Sequence, residues 1–236
     1  MITEEKDIPT TLATDGALHC ECVKGAGTDI VYILMPMDLP RSVYEAFAKE
    51  YGCSVVAVTG IDWDNDLTPW PEPGVFKTDA PFAGKAAEFL DLLRTRLMPA
   101  CEQKLNEVTD TTTPTAFNRF LAGISLSGLF AVWAWMQGND FNGIISISGS
   151  FWYNGFVDWL KAHSIAKTGQ KAFLCLGDKE GATHVKRFKG IDTYTSEVAE
   201  ILRGTGAEVT YTMVPGTHYA DPTPRLQAAF TALFKH

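Results

Sequence analysis

The segment Arg119-Phe120-Leu121-Ala122-Gly123-Ile124-Ser125-Leu126-Ser127-Gly128-Leu129-Phe130-Ala131-Val132-Trp133-Ala134-Trp135 limits the fold more than any other. An apolar, strand-like run breaks at Gly123. It resumes as an apolar helical segment whose first residues are small. Strand, tight Gly/Ser turn and helix, with a serine at the tip, is the layout of a nucleophile elbow. The serine must project from a sharp turn, so its neighbours must be small. The helix that follows aims its first N–H groups and its positive dipole end at the reacting centre. The pattern G-x-S-x-G reads Gly123-Ile124-Ser125-Leu126-Ser127, with Gly128 next. Ser125 is the expected nucleophile. Ser127 is its rival, but one position into the helix it is better placed to cap an N–H. The alternative is a strand-to-helix turn that uses small residues only for packing.

The flanking pattern sets the fold class. Ile30–Met35, Cys53–Thr59, Asn142–Ser148 and Lys171–Leu176 are short, continuous apolar runs, the mark of strands buried on both faces. Ala17–Val23 alternates weakly and suits an edge strand. Glu208–Val214 is a last, alternating strand. Helical patterns fall between them at 41–50, 84–105, 156–165, 191–203 and 223–234, with Pro99 forcing a break or kink in the second. Gly52 and Gly204 are the expected stops. Strands alternating with helices predict an α/β chain with a mainly parallel, doubly wound sheet in a single domain over residues 1–236. Residues 1–16 read as a loose lead-in and Thr109–Pro114 as a polar connector. The loop 60–82 is long, aromatic and proline-rich. Such loops either serve the site or cover their own small core. Asp62, Asp64 and Asp66 alternate like calcium ligands, but Leu67 and Pro73 stand where an EF-hand needs Gly and Glu.

In such a sheet ligands sit beyond the carboxyl ends of the strands. Candidate groups should therefore follow strands directly. Ser125 does. Gly177-Asp178-Lys179-Glu180 offers two carboxylates after 171–176, and Pro215-Gly216-Thr217-His218-Tyr219 offers a histidine after the last strand. Ser, acid, His is the chain order of α/β-hydrolases. A serine hydroxyl needs a base within reach, and the base needs an anion on its other nitrogen. His218 is the expected base and His184 its one competitor; His19 falls in a strand, His163 late in a helix and His236 at the terminus. Glu180 is the expected acid, with Asp178 as the alternative. One oxyanion donor should be the N–H of Leu126. Pro36 has no N–H, so the first donor after strand 30–35 is Met37; the Gly60-Ile61 loop is the alternative source.

A formal net charge of −8 disfavours nucleic acid or an anionic membrane as partner. The acidic N-terminus has no apolar core, and no run approaches about 18 apolar residues, so neither a signal peptide nor a membrane span is expected. Five cysteines, Cys20, Cys22, Cys53, Cys101 and Cys175, have no metal-site spacing. They fit reduced, structural thiols in a cytoplasmic setting.

The segments 122–130, Ser148-Gly149-Ser150-Phe151-Trp152, Leu176–Glu180 and Pro215–Tyr219 together resemble the putative-esterase (esterase D-like) family of α/β-hydrolases, in the family's order. Gly60-Ile61-Asp62-Trp63 with Asp66-Leu67-Thr68-Pro69-Trp70-Pro71 is similar to its small bacterial members. The resemblance covers roughly residues 30–235. It implies an α/β-hydrolase-type sheet with helices on both faces and a serine carboxylic-ester hydrolase acting without cofactor or metal on a small-molecule ester. Carried over, Ser125 is the nucleophile, His218 the base, and Glu180 matches the acid better than Asp178. Two positions depart: Ser127 replaces the usual elbow glycine, where it should crowd the turn, and no His-Gly pair precedes Met37. Trp63, Trp70 and Trp152 are candidates for an aromatic pocket. An acyltransferase or thioesterase would use the same groups. A hydrolase-like binding protein without turnover is the reading of another class.

Overall fold

A computed structural model describes residues 18–107 and 116–235. The expected lead-in, the connector 109–114 and His236 lie outside the described residues. Seven strands form one sheet in the order β1-β3-β2-β4-β5-β6-β7. They are β1 (His19–Val23), β2 (Asp29–Leu34), β3 (Ser54–Thr59), β4 (Asn118–Ile124), β5 (Gly143–Ile147), β6 (Lys171–Gly177) and β7 (Glu208–Val214). Only the edge pair β1–β3 is antiparallel; the other five pairs are parallel. The fold is thus a mainly parallel α/β sheet of the α/β-hydrolase type.

Its continuous apolar strands have the physical cause expected of them. Along β2, Ile30, Tyr32 and Leu34 enter one core while Val31 and Ile33 enter the other. Successive side chains point to opposite faces, and both faces are covered. The first core packs under α3 (Ala86–Leu92), α5 (Leu126–Trp135), α6 (Phe156–His163) and α7 (Ile191–Gly204). The second packs under α1 (Arg41–Tyr51) and α8 (Thr223–Phe234). Every residue of α5 is buried, which is why that segment is apolar all round.

Two local expectations change. The helix starting at Ala86 does not break at Pro99; it runs through a π-turn, Leu93–Leu97, into α4 (Met98–Glu107). A proline ring presses on the carbonyl four residues back, and the wider turn there makes room for it. Gly204 is the last residue of α7, not its stop; the left-handed residue is Gly206, with φ 85°. The loop 60–82 holds α2 (Trp63–Asp66) and an antiparallel bridge from Glu72 to Phe82. Asp62 accepts from the Asn65 amide inside that loop. Among the described residues no group of three His, Cys, Asp or Glu could hold a metal ion. All five cysteines are free and buried. Burial pushes the Cys53 and Cys175 thiols up to about 12, which keeps them protonated.

Candidate active site

Ser125 sits between β4 and α5 with φ 60° and ψ −120°, a conformation that non-glycine residues avoid. The surroundings hold it there. Ser125 N–H donates to the Ile147 carbonyl at 3.0 Å. A Cβ on Gly123 would lie 2.2 Å from the Ser127 carbonyl group, so only glycine lets the chain turn this tightly. Ser127 does not crowd the turn. Its buried hydroxyl accepts from Ile124 N–H at 2.7 Å and lies 2.9 Å from the Leu34 carbonyl, bracing the elbow against β2. Leu126 is the first residue of α5, so its N–H has no helical carbonyl to bond.

The loops after β6 and β7 are laced together. Asp178 N–H donates to the Val214 carbonyl at 2.8 Å, and Asp178 Oδ1 accepts from Gly216 N–H at 2.9 Å. Asp178 therefore holds the His218 turn rather than the imidazole. Glu180 reaches the imidazole: its Oε2 is 2.9 Å from His218 Nδ1. On the far side, His218 Nε2 is 3.1 Å from Ser125 Oγ. A carboxylate only accepts, so Nδ1 carries the proton and Nε2 faces the serine as acceptor. Ser125, His218 and Glu180 thus form one hydrogen-bonded chain. His184 is exposed and lies outside it.

Glu180 is almost fully buried, with 4% of its side chain exposed. Its Oε1 accepts from Ser148 Oγ at 2.6 Å, Gly177 N at 2.7 Å and Arg225 at 3.0 Å. Burial pushes this carboxyl up, but the hydrogen bonds from His218, Ser148 and Gly177 outweigh it and hold the group below the ordinary range. Arg225 also donates to Ser148 Oγ and to the Thr217 carbonyl, tying α8 to both loops. Sequence reasoning missed Arg225 and Ser148.

A cavity of about 650 Å³ opens over this chain of groups. Ser125, Leu126 and His218 form its floor; Trp63, Phe82, Trp152 and Phe188 wall it, with Asp64, Asp79 and Lys179 among the polar groups. Trp70 does not line it. That ring packs against Tyr153, Phe156 and Trp159, and its Nε1–H donates to the Asn154 carbonyl. The long loop therefore does both jobs: Trp63 faces the cavity and Trp70 plugs the core. Met37 follows β2 but is exposed and outside the lining. Arg187 lashes the loop down through Glu72 at 3.1 Å and the Pro73 carbonyl at 2.7 Å, with its guanidinium 5.2 Å from the centre of the Trp152 ring.

The family model described as putative esterase matches residues 3–232. The chain belongs to the putative esterase family. A curated relative, an uncharacterized Bacillus subtilis protein named YbbA, is 26% identical over 155 residues, 64% of this chain and 60% of that protein. The match thus spans less than two thirds of that relative. Among solved structures, the siderophore hydrolase EstB of Aspergillus nidulans aligns with a TM-score of 0.71 at 20% identity, covering 92% of this chain and 90% of that one. An IroE-like serine hydrolase of Shewanella oneidensis aligns with a TM-score of 0.73 at 16% identity, covering 92% and 76%. At these identities the likeness establishes the α/β-hydrolase-type fold of this family member. No helix among the described residues is long and apolar enough to cross a membrane.

Proposed function

We propose that this chain is a serine hydrolase that cleaves carboxylic esters through an acyl-enzyme on Ser125. The observation that carries the reading is the continuous relay from Ser125 Oγ through His218 to Glu180, with contacts of 3.1 and 2.9 Å, at the floor of an aromatic cavity. Ser125 Oγ attacks the acyl carbonyl while His218 Nε2 takes its proton. The oxyanion accepts an N–H bond from Leu126, the first free donor of α5. Collapse expels the alcohol, which takes the proton from His218. Water then attacks the acyl-enzyme under the same base, releasing the acid and restoring Ser125. Glu180 stays ionised throughout, holding the imidazole in the right tautomer.

Trp63, Phe82, Trp152 and Phe188 favour an ester with a bulky, planar group. The siderophore hydrolases among the structural neighbours make iron-chelating esters the first natural substrates to try. The altered elbow at Ser127 is what favours a binding protein without turnover, and the brace made by its hydroxyl speaks for the hydrolase instead. The test is labelling with a fluorophosphonate, read by intact mass and peptide mapping. One adduct on Ser125, absent from Ser125→Ala, is expected. Folded protein that takes no adduct overturns the reading, and an adduct on Ser127 moves the nucleophile.

A further inference from the structure

The turn after β5, Ser148-Gly149-Ser150, places a hydroxyl at each end of the relay. Ser148 Oγ lies on Glu180 at 2.6 Å, and Ser150 Oγ lies 3.3 Å from Ser125 Oγ. The turn has little freedom. Ser148 has φ 50°, and a Cβ on Gly149 would meet Ser146 Oγ at 2.5 Å and the Phe151 ring at 2.7 Å. Ser150 N–H donates to the Ser125 carbonyl at 3.0 Å, strapping the turn to the elbow. Ser150 itself is buried, 1% exposed.

We propose that Ser150 is a hydrogen-bond donor to the nucleophile, an auxiliary group of the reaction that neither the family motif nor the relay assigns. The proposal rests on the serine-hydrolase reading above. Two hydroxyl protons must be placed. The proton of Ser125 has an acceptor in His218 Nε2 at 3.1 Å. The proton of Ser150 has Ser125 Oγ as its neighbour. Both are satisfied together only when Ser150 donates to Ser125 and Ser125 donates to His218. That order points the Ser125 proton at the base before substrate arrives. It also polarises the nucleophile along a chain of bonds. As His218 takes the proton and the Ser125 Oγ–carbonyl bond forms, negative charge builds on Oγ and the Ser150 bond becomes charge-assisted. In deacylation Ser125 Oγ leaves the acyl carbon and is reprotonated by His218, and the same donor serves that bond-breaking step. Ser150 gives up no proton in either half-reaction.

The experiment compares Ser150→Ala, Ser150→Cys and Ser150→Thr with Ser148→Ala. Fluorophosphonate labelling rate, kcat/KM on a short activated ester against pH, and thermal midpoint are measured for each. Losing the donor should slow labelling and lower the plateau of kcat/KM by roughly 10- to 100-fold, the worth of one charge-assisted bond. KM and the acidic limb of the profile should stay in place, because His218 and Glu180 are untouched. Ser150→Cys, close in shape and a weak donor, should be as slow as Ser150→Ala, and it carries the test if the alanine variant does not fold. Ser150→Thr, which keeps the hydroxyl, should restore most of the rate. Ser148→Ala should instead move the acidic limb to higher pH, since a carboxylate with fewer donors holds the imidazolium more strongly. Labelling of Ser150→Ala within about 3-fold of the parent, or a shifted acidic limb in that variant, overturns the proposal. If the parent protein itself takes no label, the serine-hydrolase reading fails first; if the parent is labelled and the Ser150 variants keep its rate, only the role of Ser150 fails.

Discussion

Replacing Glu180 by glutamine changes one atom and reverses the logic of the relay. Four donors converge on this carboxylate: Ser148, Gly177 N–H and Arg225 on Oε1, and His218 Nδ1 on Oε2. A glutamine amide has one acceptor oxygen. Three donors demand it at the Oε1 site, so the amide NH2 must face His218 Nδ1. That nitrogen then has to accept, which puts the imidazole proton on Nε2, opposite the Ser125 hydroxyl. Two donors face each other and the base is gone. A wrong-tautomer substitution of this kind costs on the order of 10⁴-fold in kcat. Arg225, 5% exposed, also loses its anion. An unpaired buried charge costs about 3–5 kcal/mol, and in a chain of this size each kcal/mol lowers the midpoint by about 2–4 °C. Glu180→Gln should therefore melt about 10 °C lower yet be folded at room temperature by circular dichroism. Turnover of an activated aryl ester is the assay. Asp178→Asn is the control: it keeps an acceptor for Gly216 N–H and should stay within about 3-fold of the parent, a fraction of one hydrogen bond. If Glu180→Gln retains a tenth of the activity while Asp178→Asn loses a thousandfold, the acid has been misassigned and the tautomer argument falls with it.

Ser127→Ala leaves Ile124 N–H without its acceptor and should cost about 1–3 kcal/mol in denaturant unfolding, with fluorophosphonate still landing on Ser125. Gly123→Ala forces a Cβ to 2.2 Å from the Ser127 backbone, and soluble, labelled protein should not be recovered; normal yield and labelling would show that the elbow can relax. The carboxyl of Glu180 is held below its ordinary 4.5 by its donors, so its contribution to stability is present above that pH and is lost as pH falls through the lowered value. Urea midpoints from pH 7 down to 3 should show the parent losing this advantage over Glu180→Gln at the acid end, and parallel curves would refute it.

Much of the candidate site's geometry was legible because it is local. The elbow needs small residues in sequence, and Ser125, Glu180 and His218 each follow an apolar run that a doubly buried strand requires. Arg225 was hidden by its company. A charge near the start of an amphipathic helix reads as solvent-facing, although it stands four residues before Ala229, on the face that α8 buries. That placement was the one available signal. Ser148 gave less, since a hydroxyl at a strand end can bond anything. Trp70 shows the opposite limit: composition marked the loop as aromatic, but only its fold decides which ring faces the cavity and which fills the core. The π-turn ahead of Pro99 was out of reach because Leu93–Leu97 carries no trace of it in residue type.

Position in the sheet has a consequence for how this site is lost. Ser125 and His218 stand 93 residues apart, and they meet where β7 docks on β6. β7 is one of the two edge strands, and none of its residues is buried. Edge strands with exposed ladders open locally at less cost than the centre of a sheet. On that ground Ser125, at the centre of the sheet, should stay in place longer than His218, which follows an edge strand. On warming, esterolysis should fade while β2, β4 and β5 still protect their amides from hydrogen exchange, and the exchange rate along Glu208–Val214 should set the pace of inactivation.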